Sequence, residues 1–356
     1  MVRALSLFSG SLASRIAARV IERQVDEVFL LHFRSPFFAE SVPLRDLIKE
    51  EWPGVSLRTQ SLKKDYRRMA NIPPQDHFTL KRSCLSCRTI ILMRAIRYME
   101  RIHADFIVTG EIVGRNGLST DDLLRIEDTL GISGMVLRPL SAQLLPPTRA
   151  ERAGWVDRAS LFGFEADGHV RLEDVASDLG LLSHIDFLKA ERRCKLTFPG
   201  FGKRLESLLE EEEFTMNALK LLDFRLYYKC PPDVKIVLAT DEDEKRTLQN
   251  FFLPQDLRVY LPTYRGPMAL VRTNWEEKSV AQVREIVELA GRITATYSAA
   301  PSGTVIPINF RFESDDETSQ LNVSPFSSPA EIENYCVLYS LETPQLQTGF
   351  LEKATL

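Results

Sequence analysis

The sequence contains no apolar run approaching the ~18 to 20 residues that a membrane-spanning helix needs. Its start runs directly into a strand pattern, without the charged, apolar and small-residue segments of a cleavable signal. A cytosolic chain with no membrane association is therefore expected. Histidine is scarce, and His32, His77, His103, His169 and His184 are too scattered to suggest a ligand set. An odd count of five cysteines does not suggest a disulfide framework in a chain of this size, so reduced thiols are the expectation. No Gly-Lys-Ser/Thr ending is present where a Walker phosphate loop would require one. No internal repeat is visible.

What is present is ordinary globular material, 44% hydrophobic and 26% charged over 356 residues. At roughly 100 to 200 residues per domain, that length predicts two domains, each able to bury its own core. The net charge of -4 argues against a wholesale polyanion binder, but it conceals a split. Residues 1–200 carry 29 basic and 25 acidic side chains, a balance of +4, whereas residues 201–356 carry 16 and 24, a balance of -8. Residues 58–101 alone hold 11 basic and 3 acidic groups, which marks a candidate polyanion surface.

The patterning gives an α/β class. Residues 2–8 read as a strand, 9–14 as a tight turn of small and hydroxyl residues, and Leu12, Ile16, Val20 and Ile21 recur at helical spacing. Strands follow at 27–33, 54–59, 104–109 and 134–138, with helices at 43–51 and 85–102. Such alternation predicts a Rossmann-like parallel sheet with helices on both faces. Ligands bind such sheets outside the carboxyl ends of the strands. The turn at 9–14 and the segment Thr109, Gly110, Glu111 both belong to that edge. Short helices are expected at 157–163 and 171–180. Beyond about residue 201 the texture changes to a smaller α+β domain, with strands at 222–229, 234–239, 257–261 and 267–272 and helices at 241–251 and 278–291. Residues 315–356 read as a polar, partly disordered C-terminal segment.

Three features carry chemistry. The turn Ser9, Gly10, Ser11, Leu12, Ala13, Ser14 can bring backbone amides and hydroxyls to a phosphate ahead of a helix N-terminus, or it is a generic tight turn. Cys84 and Cys87, spaced C-x-x-C at a helix start with Cys194 farther on, can hold a metal or one corner of a cluster, form a redox dithiol, or be inert buried thiols. Lys63, Lys64, Arg67, Arg68, Lys81, Arg82 and Arg88 form a basic run suited to RNA phosphates, and a solvated helix face explains Arg88, Arg94, Arg97 and Arg101 nearly as well. His32, at a strand end, is placed either to touch a nucleotide or to pack.

Residues 4–21 (ALSLFSGSLASRIAARVI) resemble the pyrophosphatase-loop (PP-loop) ATPases of the adenine nucleotide α-hydrolase superfamily, in particular their thiouridine-synthase-like branch. The family's loop reads Ser-Gly-Gly-x-Asp-Ser. Ser9, Gly10 and Ser14 match it, while Ser11 replaces the second Gly and Ala13 replaces the Asp. The segments around Cys84, Cys87 and Cys194 (KRSCLSCRTIILMRA and RCKLTFPGFGKRL), Thr109 to Glu111, and residues 136–149 also resemble that family. The resemblance implies ATP with Mg²⁺ at Ser9, Gly10, Ser11, Ser14, His32, Gly110 and Glu111, and substrate contacts at Arg138 and Gln143. It further implies a 4Fe-4S cluster on Cys84, Cys87 and Cys194 with one open iron, or a persulfide on Cys87 or Cys194. The implied activity is tRNA uridine thiolation, with a cysteine desulfurase or sulfide as sulfur donor and a homodimer as a compatible assembly. The loop changes leave a second reading, an RNA- or cluster-binding homologue without ATP turnover. Residues 215–312, with TMNALKLLDFRLYYKCPPDVKIVLATDEDEKRTL and LPTYRGPMALVR, resemble the NFACT-type RNA-binding domain. Ala239, Thr240 and Asp241 stand there in place of the family's Gly-Arg-Asn, and Arg258, Arg265 and Arg272 are the cations placed to meet RNA.

Overall fold

The computed structural model describes residues 1–38, 44–62, 80–166, 172–181, 194–197, 199–210, 215–301 and 303–338. The chain divides into two compact units, Met1–Thr197 and Phe198–Leu356. Among the described residues no helix is long and apolar enough to cross a membrane.

The first unit runs β1 (Arg3–Leu7), α1 (Leu12–Glu22), β2 (Glu27–Arg34), α2 (Leu44–Glu51), β3 (Leu57–Ser61), α3 (Leu80–Ile102), β4 (Phe106–Thr109), α4 (Thr120–Leu130), β5 (Val136–Leu137), α5 (Arg149–Arg152) and α6 (Leu172–Asp178). Its strands form one parallel sheet in the order β3-β2-β1-β4-β5, a Rossmann-like α/β architecture. Ala4, Leu5 and Ser6 in β1 are all buried, because a central parallel strand covered by helices on both faces has no wet side. This is why β1 shows no polar alternation. On α1, Leu12, Ile16 and Val20 are buried together with Ala13, Ala17 and Ile21, and the helix starts where the Ser11 hydroxyl accepts from the Ser14 amide. The capping box of Ser119 and Asp122 starts α4, and Gly131 ends it in the left-handed conformation. Those signals stood in the sequence, yet the strand-and-helix reading passed over α4. It also placed a helix at 157–163, where the chain makes only a 3₁₀ turn at Arg158–Ser160.

From β1 the chain goes one way to β2 and β3 and the other way to β4. The switch point thus lies between β1 and β4, the place at whose carboxyl edge sheets of this kind bind ligands. In a parallel unit the helix after β3 begins at that same edge. This brings the first turns of α3, with Cys84 and Cys87, towards the loop that follows β1.

The second unit is an α+β fold. Strands β6 (Leu226–Cys230), β7 (Val234–Ala239), β8 (Leu257–Tyr260), β9 (Met268–Arg272), β10 (Ile306–Phe312), β11 (Ser319–Val323) and β12 (Val337–Leu338) form an antiparallel sheet in the order β11-β10-β8-β9-β7-β6-β12. The helix Val280–Thr296 shares one apolar core with the sheet. A Cβ on Gly291 would collide with Ile308, so glycine lets this helix approach closely.

Two expectations are corrected here. The segment from 315 onward is not simply a polar tail. β11 pairs with β10, and β12 pairs with β6. The physical reason is edge position, since β11 is largely exposed and its polar residues read as loop. Residues 339–356 lie outside the described residues. The thiols are not all reduced either, because Cys230 and Cys336, 106 residues apart, form a disulfide. Pairing of Val337 with Lys229 brings Cys336 beside Cys230, a proximity that sequence spacing does not display.

Candidate functional site

Ser9–Ser14 follows β1 at the switch point. Gly10 has φ +78°, a left-handed conformation that glycine adopts without steric cost. Ser9 Oγ lies 2.9 Å from Ser11 Oγ and 3.2 Å from Ser14 Oγ, and Ser14 Oγ donates to the Ser11 carbonyl at 2.9 Å. The hydroxyls therefore form one cluster at the start of α1. Gly110, just beyond β4, lies directly against this start, since a Cβ there would fall 2.6 Å from both Ala13 C and Ser14 N. His32 is half-buried with Nδ1 3.0 Å from the Phe8 carbonyl, which joins β2 to the residue before the loop. Ser9, Gly10, Ser11, Ser14, His32 and Gly110 thus stand at one edge.

Glu111 closes this edge through ions. One carboxylate oxygen pairs with Arg88 of α3, and the other lies 2.9 Å from Arg138 Nε. Arg138, almost fully buried beyond β5, also pairs with Glu127 of α4, which in turn accepts from the Gly134 amide at 3.0 Å. Burial lowers the Arg138 pKa and Glu127 opposes that shift. Arg138 Nη2 is buried without a hydrogen-bond partner. Arg88 was expected among the RNA-facing cations. Instead its side chain is mostly buried and paired to Glu111, because the helix face that carries the two thiols is an inner face. Gln143 is occupied in packing, donating to the Leu161 carbonyl at 2.6 Å.

Cys84 and Cys87 are buried, Cys194 is half-buried, and none of the three is in a disulfide. Burial raises the Cys84 thiol pKa, against the pull of Arg88. Burial pushes Cys194 up to about 12, with the charge of Cys87 next in effect and that of Cys84 smaller. Tertiary structure has therefore brought Cys194 into electrostatic reach of the C-x-x-C pair and of Arg88. Three soft donors suit an iron–sulfur cluster chemically. In arrangement they do not fit one as they stand, since among the described residues no three His, Cys, Asp or Glu side chains are grouped to hold a metal ion. Lys63, Lys64, Arg67 and Arg68 lie outside the described residues, as do the side chains of Lys81 and Arg82.

In the second unit a cavity of about 660 Å³ has Tyr260, Tyr264, Arg258, Arg265, Arg311, Asp241, Glu242 and Lys245 among its lining residues. Residues 227–336 match the family described as the NFACT protein RNA binding domain. That match runs past residue 312, where the sequence resemblance stopped, and takes in β11 and Cys336. No curated protein matches the chain. Among solved structures, the C-terminal part of the fibronectin/fibrinogen-binding protein from Streptococcus suis is similar at 11% identity and a TM-score of 0.28, over 47% of this chain and 75% of that one. A 4-thiouridine synthetase in complex with RNA and ATP is similar at 19% identity and a TM-score of 0.36, over 62% of this chain and 53% of that one. This chain therefore spans about half the length of that synthetase.

The three arginines singled out in this unit separate on structure. Arg272 is committed to Asp256, Asn217 and the Phe251 carbonyl. Arg258 is paired with Glu313. Arg265 is exposed on the cavity rim. Arg311, which the sequence reading missed, joins it from β10, and only the cross-strand register reveals it.

Proposed function

We propose that the chain is a tRNA-modifying sulfurtransferase. ATP with Mg²⁺ adenylates a uridine oxygen at the Ser9–Ser14 loop, and sulfur from a cysteine desulfurase or sulfide displaces AMP. The observation that carries this reading is the Arg88–Glu111 pair. It ties the helix bearing Cys84 and Cys87 to the residue that follows Gly110, so thiols and phosphate-type loop belong to one edge. An adenylated substrate needs a nucleophile near its activated carbon, and a thiol pair there supplies one.

With a cysteine desulfurase as donor the route runs through the thiols, its sulfane sulfur moving onto the Cys194 thiolate as the donor's own S–S bond breaks; sulfide as donor displaces AMP directly, with no persulfide. The terminal sulfur of a Cys194 persulfide adds to the activated carbon, and the C–O bond to AMP breaks. The Cys87 thiolate then attacks the Cys194 sulfur, the S–S bond breaks, and the thiouridine leaves. A Cys87–Cys194 disulfide remains for a thiol reductant to reopen.

A second reading has its own observation. Ser11 itself caps α1 by accepting the Ser14 amide, a group that a bound phosphate would otherwise take, and Ala13 brings no carboxylate. This favours a chain that holds RNA without ATP turnover. RNA-dependent release of AMP and pyrophosphate, followed by mass spectrometry of the nucleosides, separates the two. Thiolated uridine that disappears in Cys194→Ala supports the enzyme, whereas RNA retention with no AMP formed refutes it. Iron and acid-labile sulfide that persist through anaerobic purification, and vanish in Cys84→Ala, would replace the persulfide by a cluster.

A further inference from the structure

The cavity in the second unit has a sheet face as its floor. Arg258 and Tyr260 lie two apart on β8 and so share a face. Across the strands, Arg311 stands opposite Arg258, Asn309 opposite Tyr260, and Met268 opposite Tyr260 on the other side. The alternate residues Leu257 and Val259 point into the core with Ile306 and Ile308. Like charges directly opposed across a ladder are unfavourable unless something neutralises them. Glu313 does so for Arg258, with Arg258 Nη2 3.1 Å from Oε2. Arg311 gives a hydrogen bond to the Asp315 carbonyl at 3.0 Å. Among the described residues neither Arg311 nor Arg265 has a carboxylate within ion-pair distance. Of the lining carboxylates, Asp241 accepts from the Glu244 amide at 2.8 Å, and Glu242 pairs with Lys245 at 2.8 Å and feels Arg265 only as a weaker, more distant charge.

Two arginines with no described carboxylate within ion-pair distance, two half-buried tyrosine rings and a volume of about 660 Å³ suit a ligand with an anionic group and a flat apolar face. We propose that this cavity seats one unpaired nucleotide of an RNA strand, its base stacked on Tyr264 and its flanking phosphates on Arg265 and Arg311. The inference rests on the RNA reading above and assigns it a place. The surrounding acidity sets the mode. With a balance of -8 over residues 201–356, this region offers no long cationic track for a duplex backbone. Stacking, which reaches only splayed-out bases, supplies the affinity instead.

The test uses the full chain without ATP and a fluorescein-labelled single-stranded octaribonucleotide, followed by anisotropy. Tyr264→Leu, which keeps an apolar side chain against the core, is expected to weaken binding roughly 5- to 100-fold, while Tyr264→Phe retains it. Arg265→Gln and Arg311→Gln are each expected to flatten the slope of log K against log salt by about 0.7. Wild-type-like binding by Tyr264→Leu overturns the proposal. So does failure of the wild type to bind, equal binding of the corresponding duplex, or equal competition by polyglutamate of matched charge. Loss of thiolation activity alongside normal oligonucleotide binding would remove the enzyme reading and leave this one standing.

Discussion

Gly110→Ala tests the contact on which the proposed nucleotide-binding edge depends. The new Cβ would lie 2.6 Å from Ala13 C and Ser14 N and 2.7 Å from Ala13 O. These are backbone atoms, so no rotamer change relieves the clash. Restoring an ordinary separation of about 3.5 to 4.0 Å requires the start of α1 to move by roughly 1 Å. Overpacking of this kind costs about 1 to 3 kcal/mol, against a gain of about 0.4 to 1 kcal/mol from a less flexible unfolded chain. A net loss near ~1 to 2 kcal/mol corresponds, for a unit of this size, to a fall in Tm of roughly 2 to 8 °C. The same shift would displace the loop amides from a phosphate bound there as proposed. Losing one hydrogen bond to a charged group, about 1.5 to 3 kcal/mol, weakens binding of a fluorescent ATP analogue by roughly 10- to 100-fold. Calorimetry of the N-terminal transition and a titration of the analogue read the two effects separately. A variant that melts and binds as the wild type does would refute the close approach. Lowered stability with unchanged nucleotide affinity would show that Gly110 packs against a loop with no nucleotide role.

Glu127→Ala leaves buried Arg138 with Glu111 as its remaining carboxylate and should destabilise the first unit by about 3 to 5 kcal/mol in urea; a cost below ~1 kcal/mol would mean that this pair contributes little. Burial holds the folded Cys194 thiol at about 12 against an ordinary 9.0, so the folded chain binds more protons than the unfolded one between those values. Its contribution to stability is accordingly full below pH 9 and is lost as pH rises through 12. Iodoacetamide should label Cys194 slowly at pH 8 and faster towards pH 11, and rapid labelling at pH 8 would contradict that burial. Cys336→Ser should lower stability by about 2 to 5 kcal/mol under oxidising conditions, and dithiothreitol should bring the wild type to the same value; insensitivity to both would show that the Cys230–Cys336 bond does not form.

Much of the first unit was legible because its signals are local. The apolar run at β1, the small residues at 9–14 and the periodicity of α1 lie within one window of sequence, as do the strands that alternate with helices. Helix α4 was missed although Ser119, Asp122 and Gly131 mark both its ends, because its apolar stripe is short. The polar edge strand β11 was missed because a strand with one wet face and no outer neighbour has the composition of a loop. Arg88 illustrates the limit for side chains. A basic residue beside other basic residues reads as solvated, and only the partner on a different element, Glu111, shows that it turns inward.

The succession of the five strands of the first unit and the carboxyl-edge position of Ser9–Ser14 and Gly110 followed from the sequence by itself, since periodicity and the topology of parallel sheets depend on neighbours along the chain. Tertiary structure decided which charges meet. It paired Arg88 with Glu111, buried Arg138 between two carboxylates, brought Cys194 towards Cys87, joined Cys230 to Cys336, and set Arg311 opposite Arg258. The reason is physical: burial and ionic contact depend on distances between elements far apart in sequence, and those distances exist only after the sheets have formed.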